Sequence, residues 1–132
     1  MKIVKKTWGH EKWIVNNDLY CGKEIVIKSS KFSSKGKFHY HKIKDETFYV
    51  IRGTLLIDWY NETIALPNLG LASPEQVILK KGESFRIKPF VRHRFMGLSY
   101  FGCKFMEFST HHEDSDSYYE QLFNIKGDSS VR

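Results

Sequence analysis

The sequence predicts an all-β domain, a sandwich or barrel, with one short helix at its C-terminal end. Short runs rich in Val, Ile, Phe, Tyr and Thr recur through the middle of the chain, which is the composition of strands. Turn-forming groups separate them: Asn16-Asn17-Asp18, Ser29-Ser30, Ser33-Ser34, Arg52-Gly53 and Lys80-Lys81-Gly82. A helical pattern fits only the last residues. At 132 residues the chain suits one domain over 1–132, with its barrel at about 20–110.

In chain order the expected strands are Trp13–Val15, Lys23–Lys28, Phe38–Ile43, Thr47–Ile51, Thr54–Trp59, Glu62–Leu66, Val77–Leu79, Ser84–Ile87, His93–Gly97 and Tyr100–Ser109. Some are apolar on both faces, as in Leu55-Leu56-Ile57. One face then fills the barrel, and the other meets a second sheet or a partner subunit. Pro67–Pro74 reads as a loop. Ser117 and Glu120 form an S-x-x-E capping box. Tyr118, Leu122 and Ile125 share one helical face, and Gly127 suits the C-terminal cap, which places the helix at about 118–126.

Composition excludes several classes. An aromatic content of 15% is too high for a disordered chain. No apolar run approaches the ~20 residues that span a bilayer. Met1–Lys6 has no hydrophobic core of a leader, so the expected location is the cytoplasm, with Cys21 and Cys103 reduced. The net charge of +6 is a modest surplus that suits solubility or an anionic small molecule. Its distribution is uneven: six lysines and no acid from Ile25 to Lys44, against acids gathered at Glu107, Glu113, Asp114, Asp116 and Glu120. That acidic tail opposes a nucleic-acid partner, although Tyr100–Phe105 interleaves aromatics with a lysine.

The most informative stretch runs from Gly36 to Gly53. In a strand, side chains two apart share a face, so His39 and His41 project together. Glu46 follows a short turn, and an antiparallel neighbour can return it beside them. Gly53 permits the tight turn that ends that strand. His93, just after Pro89, is the best fourth member, with Arg92 and Arg94 directed to the opposite face. Three imidazoles and a carboxylate suit one divalent transition metal ion, with Mn, Fe, Ni, Co and Zn all open.

The spacing His39-x-His41-x4-Glu46-x6-Gly53 resembles the first motif of the cupin superfamily. Gly82 to Phe95, with Pro89 and His93, resembles the second. The resemblance implies a double-stranded β-helix jelly-roll barrel, with the metal held inside it by His39, His41, Glu46 and His93. Two positions depart from the pattern: Ser33 stands where the family has a glycine, and the second-motif turn lacks its glycine at Phe90–Val91. More weakly, Trp8-Gly9-His10-Glu11 and the segment Glu107–Asp116 look like the ends of cupins related to type II mannose-6-phosphate isomerases.

That resemblance implies a metal-dependent enzyme acting on a sugar or sugar derivative, by aldose–ketose isomerisation or epimerisation. The alternatives are a cupin that binds a small ligand without turnover, as a sensor, and an iron-dependent dioxygenase. Isomerisation needs a general base. Glu107 is the candidate, because it shares strand parity with Phe101, Cys103 and Phe105. Lys37, Arg86 and Arg92 are candidates for drawing an anionic, possibly phosphorylated, substrate to the mouth. His111-His112-Glu113-Asp114 reads as an exposed loop, Cys103 as a buried apolar residue, and Trp8, Trp13 and Trp59 as core or interface. Cupins commonly pair through their sheets, so a homodimer is expected.

Overall fold

The computed structural model describes residues 1–60 and 73–120. Among these residues are eleven antiparallel strands in two sheets. They are β1 (Lys2–Lys6), β2 (Gly9–Asn16), β3 (Cys21–Ile27), β4 (Phe38–Tyr40), β5 (Glu46–Arg52), β6 (Leu55–Trp59), β7 (Glu75–Leu79), β8 (Ser84–Ile87), β9 (His93–Gly97), β10 (Cys103–Ser109) and β11 (Tyr118–Glu120). The six-stranded sheet has the order β1-β2-β3-β10-β5-β8, and the five-stranded sheet the order β11-β4-β9-β6-β7. From β3 to β11 consecutive strands alternate between the two sheets, except for the paired β6 and β7, as in a jelly roll. No helix of the described residues is long and apolar enough to cross a membrane.

Alternation builds the core. Ile25 and Ile27 of β3, Phe48 and Val50 of β5, Leu55 and Ile57 of β6, and Cys103 and Phe105 of β10 all turn inward and are buried. Their neighbours in sequence face outward, as strand periodicity requires. Phe48, Phe95 and Phe105 meet edge to face or tilted, with ring centroids 4.7 to 5.9 Å apart. This aromatic layer underlies the histidines and keeps water from the floor of the site. Burial pushes the Cys103 thiol up to about 12, in keeping with a packing role.

Three expectations need correction. The segment 118–120 is a strand paired with β4, Tyr118 opposite Tyr40, and not the start of a helix. The rest of the expected helix, and the expected strand Glu62–Leu66, lie outside the described residues. The last long strand begins at Cys103 and not Tyr100; Tyr100 and Phe101 occupy a turn and are exposed, so Phe101 does not face the barrel. The lysine-rich β1 was not expected at all; it forms an edge, where charge discourages pairing with other chains.

Both departures from the motif pattern have local causes. Ser33 needs no left-handed backbone, because Ser34 and Lys35 adopt it instead, at φ 51° and 55°. Its hydroxyl instead accepts the Phe95 N–H at 3.0 Å. At the second turn Phe90 itself takes φ 70°. Its N–H donates to the His41 carbonyl at 2.7 Å, and its carbonyl accepts from Arg92 at 2.8 Å. Those bonds offset a conformation that costs a bulky residue about 1–3 kcal/mol.

Two glycines separate backbone strain from crowding. Gly82 and Gly102 have positive φ of 86° and 83°. A Cβ at Gly82 would meet nothing within 4 Å, whereas at Gly102 it would run into the Ile27 carbonyl. Gly82→Ala should cost about 1 kcal/mol, and Gly102→Ala about 3 kcal/mol or more. Urea unfolding of the two variants checks this; equal losses would mean that the β3–β10 contact is not tight.

Candidate metal centre

The site forms where the two sheets face each other at one end of the barrel. β4 contributes His39, and His41 follows immediately after that strand. β9 opens on His93, which pairs directly across from His39. The two rings are 4.2 Å apart between centroids, and His39 and His41 are 5.2 Å apart. One donor nitrogen from each of the three histidines lies within 4.8 Å of the others. Glu46 enters from the other sheet, at the start of β5. Its Oε2 lies 3.3 Å from His93 Nε2, and its Oε1 lies 3.5 Å from His41 Nε2. The four residues expected from the sequence therefore meet inside the barrel.

Hydrogen bonds fix which nitrogens face the centre. His93 Nδ1 donates to the Val91 carbonyl at 2.9 Å, and His41 Nδ1 donates to the Asp116 carbonyl at 3.0 Å. Nε2 of each ring is thus left with its lone pair directed inward. Burial, with His93 and His41 beside it, holds His39 well below the ordinary histidine pKa. Burial also lowers His41, although Glu46 opposes it. Burial would raise the Glu46 carboxyl, yet Lys44, His93 and His41 together outweigh it and hold that carboxyl well below the usual range. His39 Nδ1, His93 Nε2 and Glu46 Oε2 are buried without a hydrogen-bond partner among the described residues. Buried lone pairs that face one another without a proton between them are costly. A divalent cation would satisfy them, so this donor set fits the metal expected of it.

Three further residues, Lys44, His112 and Asp116, complete the site, and the sequence did not single out their roles. Lys44 is buried, and its ammonium reaches Glu46 Oε1 at 3.2 Å, Glu107 Oε2 at 2.6 Å and His112 Nδ1 at 2.9 Å. Burial alone would lower its pKa, but the two carboxylates outweigh that and raise it. His112 in turn donates from Nε2 to Asp114 Oδ1 at 2.9 Å. His112 is therefore not part of an exposed loop: its side chain is 9% exposed, against 34% for His111, which points away to the Asn17 carbonyl and Glu113. Asp116 shapes the segment between His41 and Glu46. Its carboxylate accepts the N–H groups of Lys42, Ile43 and Lys44 at 2.9 to 3.2 Å.

A cavity of about 170 Å³ opens on this centre. His39, His41, Lys44, Glu46, Glu107 and His112 line its depth, with Trp8, Trp13 and Tyr119 on its walls. Glu107 is buried on β10, as its parity with Cys103 and Phe105 requires. The cationic residues at the cavity are Lys2, Lys6, Lys23 and Lys44. Lys37, Arg86 and Arg92 are not among its lining residues. Arg86 is held on the outer surface by Asp45, and the Arg92 guanidinium lies 3.9 Å from the Tyr40 ring centroid. Trp8 belongs to the core and Trp59 packs against it, while Trp13 lies between Lys2 and Lys23 at the mouth.

The fold is that of the cupins. KdgF from Halomonas sp. superposes with a TM-score of 0.67 at 13% identity, over 87% of this chain and 92% of that one. CapF from Staphylococcus aureus, a capsular polysaccharide assembling protein, gives 0.74 at 15% identity, over 89% of this chain and 31% of its own. Oxalate decarboxylase from Bacillus subtilis gives 0.73 at 12% identity, over 91% of this chain and 30% of its own. The chain thus spans about a third of the last two. No protein-family model matches the sequence, and no curated protein matches it significantly.

Removing His93 takes away a donor that no neighbour can replace. His93→Ala should weaken binding of a divalent ion to metal-stripped protein by about 100-fold or more, as calorimetric titration would show. Asp116→Ala leaves three N–H groups without their acceptor and should lower stability by about 1–3 kcal/mol. Through the loss of loop order it should also weaken the metal by about tenfold. Unchanged affinity in both variants would place the ion elsewhere.

Proposed function

We propose that the protein is a metal-dependent enzyme that isomerises or epimerises a sugar or sugar derivative. The observation that carries this reading is the convergence of three imidazole donors, His39, His41 and His93, with Glu46 beside a cavity that His39, His41, Glu46 and Glu107 line. A metal held by His39, His41, His93 and Glu46 would supply a Lewis acid that polarises a carbonyl or hydroxyl. Glu107 Oε2 is occupied by Lys44 and, at 3.3 Å, by the Ser109 hydroxyl. Its Oε1 makes no hydrogen bond within the described residues and is the oxygen available to take a proton from carbon. The aromatic floor and the buried walls limit water around that proton. Trp8, Trp13 and Tyr119 give the flat apolar surface that sugar rings favour, and Lys2 and Lys6 at the rim favour an anionic substituent. CapF, named for capsular polysaccharide assembly, is a carbohydrate-related neighbour in fold.

A second reading is a cupin that binds a small ligand without turnover. The 2.6 Å contact between Lys44 and Glu107 favours it, because that ammonium draws charge from the carboxylate. A homodimer is also proposed. Tyr49 and Met106 pair across β5 and β10 on the outer face of the larger sheet, and Phe108 is exposed beside them. Such a face suits a partner sheet. Sedimentation that shows a monomer at micromolar concentration would exclude the dimer.

Turnover separates the two functional readings. Metal-loaded protein in D2O should exchange a carbon-bound proton of an aldose, a ketose, a uronate or a sugar phosphate, detected by NMR. Glu107→Gln should slow that exchange by about 100-fold or more. Tight binding with no exchange across the whole panel would leave the ligand-binding reading. Equal rates for charged and uncharged sugars at all salt concentrations would remove the role of the rim lysines.

A further inference from the structure

We propose that Lys44 is a positioning residue that confines Glu46 to one oxygen at the metal and couples that ligand to Glu107. This rests on the metal reading above. An ammonium has three protons to donate, and Lys44 has three acceptors, Glu46 Oε1, Glu107 Oε2 and His112 Nδ1, at 3.2, 2.6 and 2.9 Å. Every donor is used, so Lys44 has none left for a substrate. It acts through the groups it holds.

The consequences for Glu46 follow from its two oxygens. Oε1 is committed to Lys44. Oε2 is buried, has no hydrogen-bond partner among the described residues and faces His93 Nε2 at 3.3 Å. Oε1 lies 3.5 Å from His41 Nε2 but has one lone pair engaged by Lys44, so Oε2, with both lone pairs free, is the oxygen best placed to ligate. A carboxylate that could turn both oxygens to an ion would thereby be held as a single donor, which would keep one more position for substrate. The same ammonium anchors Glu107 on the neighbouring strand β10, so the ligand and the candidate base share one counter-ion. Its backbone is fixed in turn, since the Lys44 N–H donates to Asp116 Oδ2 at 3.0 Å. The lysine is therefore not a flexible surface side chain that happens to fold inward.

Lys44 also places a positive charge beside a cation site. Its removal frees both carboxylates to neutralise the ion. Cobalt(II) alone is the probe, titrated into the metal-stripped full chain and followed by calorimetry and visible absorption. Lys44→Met should bind cobalt about tenfold more tightly or better. Its visible bands should weaken as Glu46 supplies a second oxygen and the coordination number rises. Glu107→Gln keeps Lys44 but replaces a charged acceptor with a neutral amide oxygen, draws the ammonium onto Glu46, and should weaken cobalt about tenfold. A lysine that serves folding alone would lower the melting temperature of Lys44→Met and leave affinity and bands unchanged; that result, or a loss of affinity, overturns the inference. If Lys44→Met does not fold, unchanged affinity in Glu107→Gln overturns it. Wild-type protein that binds cobalt no better than His93→Ala overturns the metal reading itself, and the inference with it.

Discussion

Three imidazoles, two carboxylates and one ammonium lie together in the barrel interior, and their charged forms would be unfavourable there alone. Burial opposes the charged form of every one of them. Lys44 resolves most of the conflict, since it lies within hydrogen-bonding distance of both carboxylates and of His112. Among the described residues, what it leaves buried without a partner is two histidine nitrogens, His39 Nδ1 and His93 Nε2, and one carboxylate oxygen, Glu46 Oε2, beside the inward-facing His41 Nε2. The remaining electrostatic debt is therefore localised at the point where a divalent ion fits. Buried charge of this kind is weak support for stability in itself. Its value lies in pointing the unsatisfied atoms at a common centre.

The barrel makes that arrangement possible by drawing the site from both sheets. His39 and His93 face each other across adjacent strands of one sheet, and Glu46 and Glu107 come from adjacent strands of the other. A shift of one residue in either pairing would turn a ligand outward. Registers are held well away from the site: by the apolar alternation of β3, β5 and β10, and by Gly102 against the Ile27 carbonyl. The site is thus a consequence of core packing on one side and of Asp116 on the other. Asp116 orients His41 through its carbonyl and the Lys44 segment through its carboxylate. One residue of the acidic tail, remote in sequence, sets both first-motif elements in place.

What could be read in the sequence was what depends on short-range periodicity. The period of two placed His39 with His41 and Glu107 with Cys103 and Phe105, and the strand-turn-strand spacing returned Glu46. Failures came where that period was carried through a break. Phe101 escapes that parity because Gly102, at φ 83°, turns the chain out of strand geometry just before Cys103. Tyr118 and its successors matched a helical face, but tertiary pairing with β4 made 118–120 a strand. Lys44 was invisible for a different reason. A lysine among polar residues reads as solvated, and only an acceptor 72 residues away turns its backbone inward. His112 left a usable signal: it alternates with the exposed His111, and shares parity with its partner Asp114. The basic residues expected at the mouth were chosen by charge density in the sequence, whereas the cavity takes its lysines from β1, β3 and the Asp116-bound segment.

That redistribution of charge bears on how a ligand would be received. Lys23 approaches Glu11 at 3.6 Å and lies over Trp13, and Lys44 is committed to its three acceptors. The positive charges in the depth of the cavity therefore hold the protein's own acids. Lys2 and Lys6 stand on β1, the edge strand, where their side chains are solvated and exposed. Charges there act over about a Debye length and are screened by salt, so they affect approach more than final affinity. Discrimination among ligands must then come from the buried polar interior, from the aromatic walls and from the metal-facing donors. Polar groups in such a place reject a ligand that leaves them unpaired far more strongly than an exposed lysine attracts one.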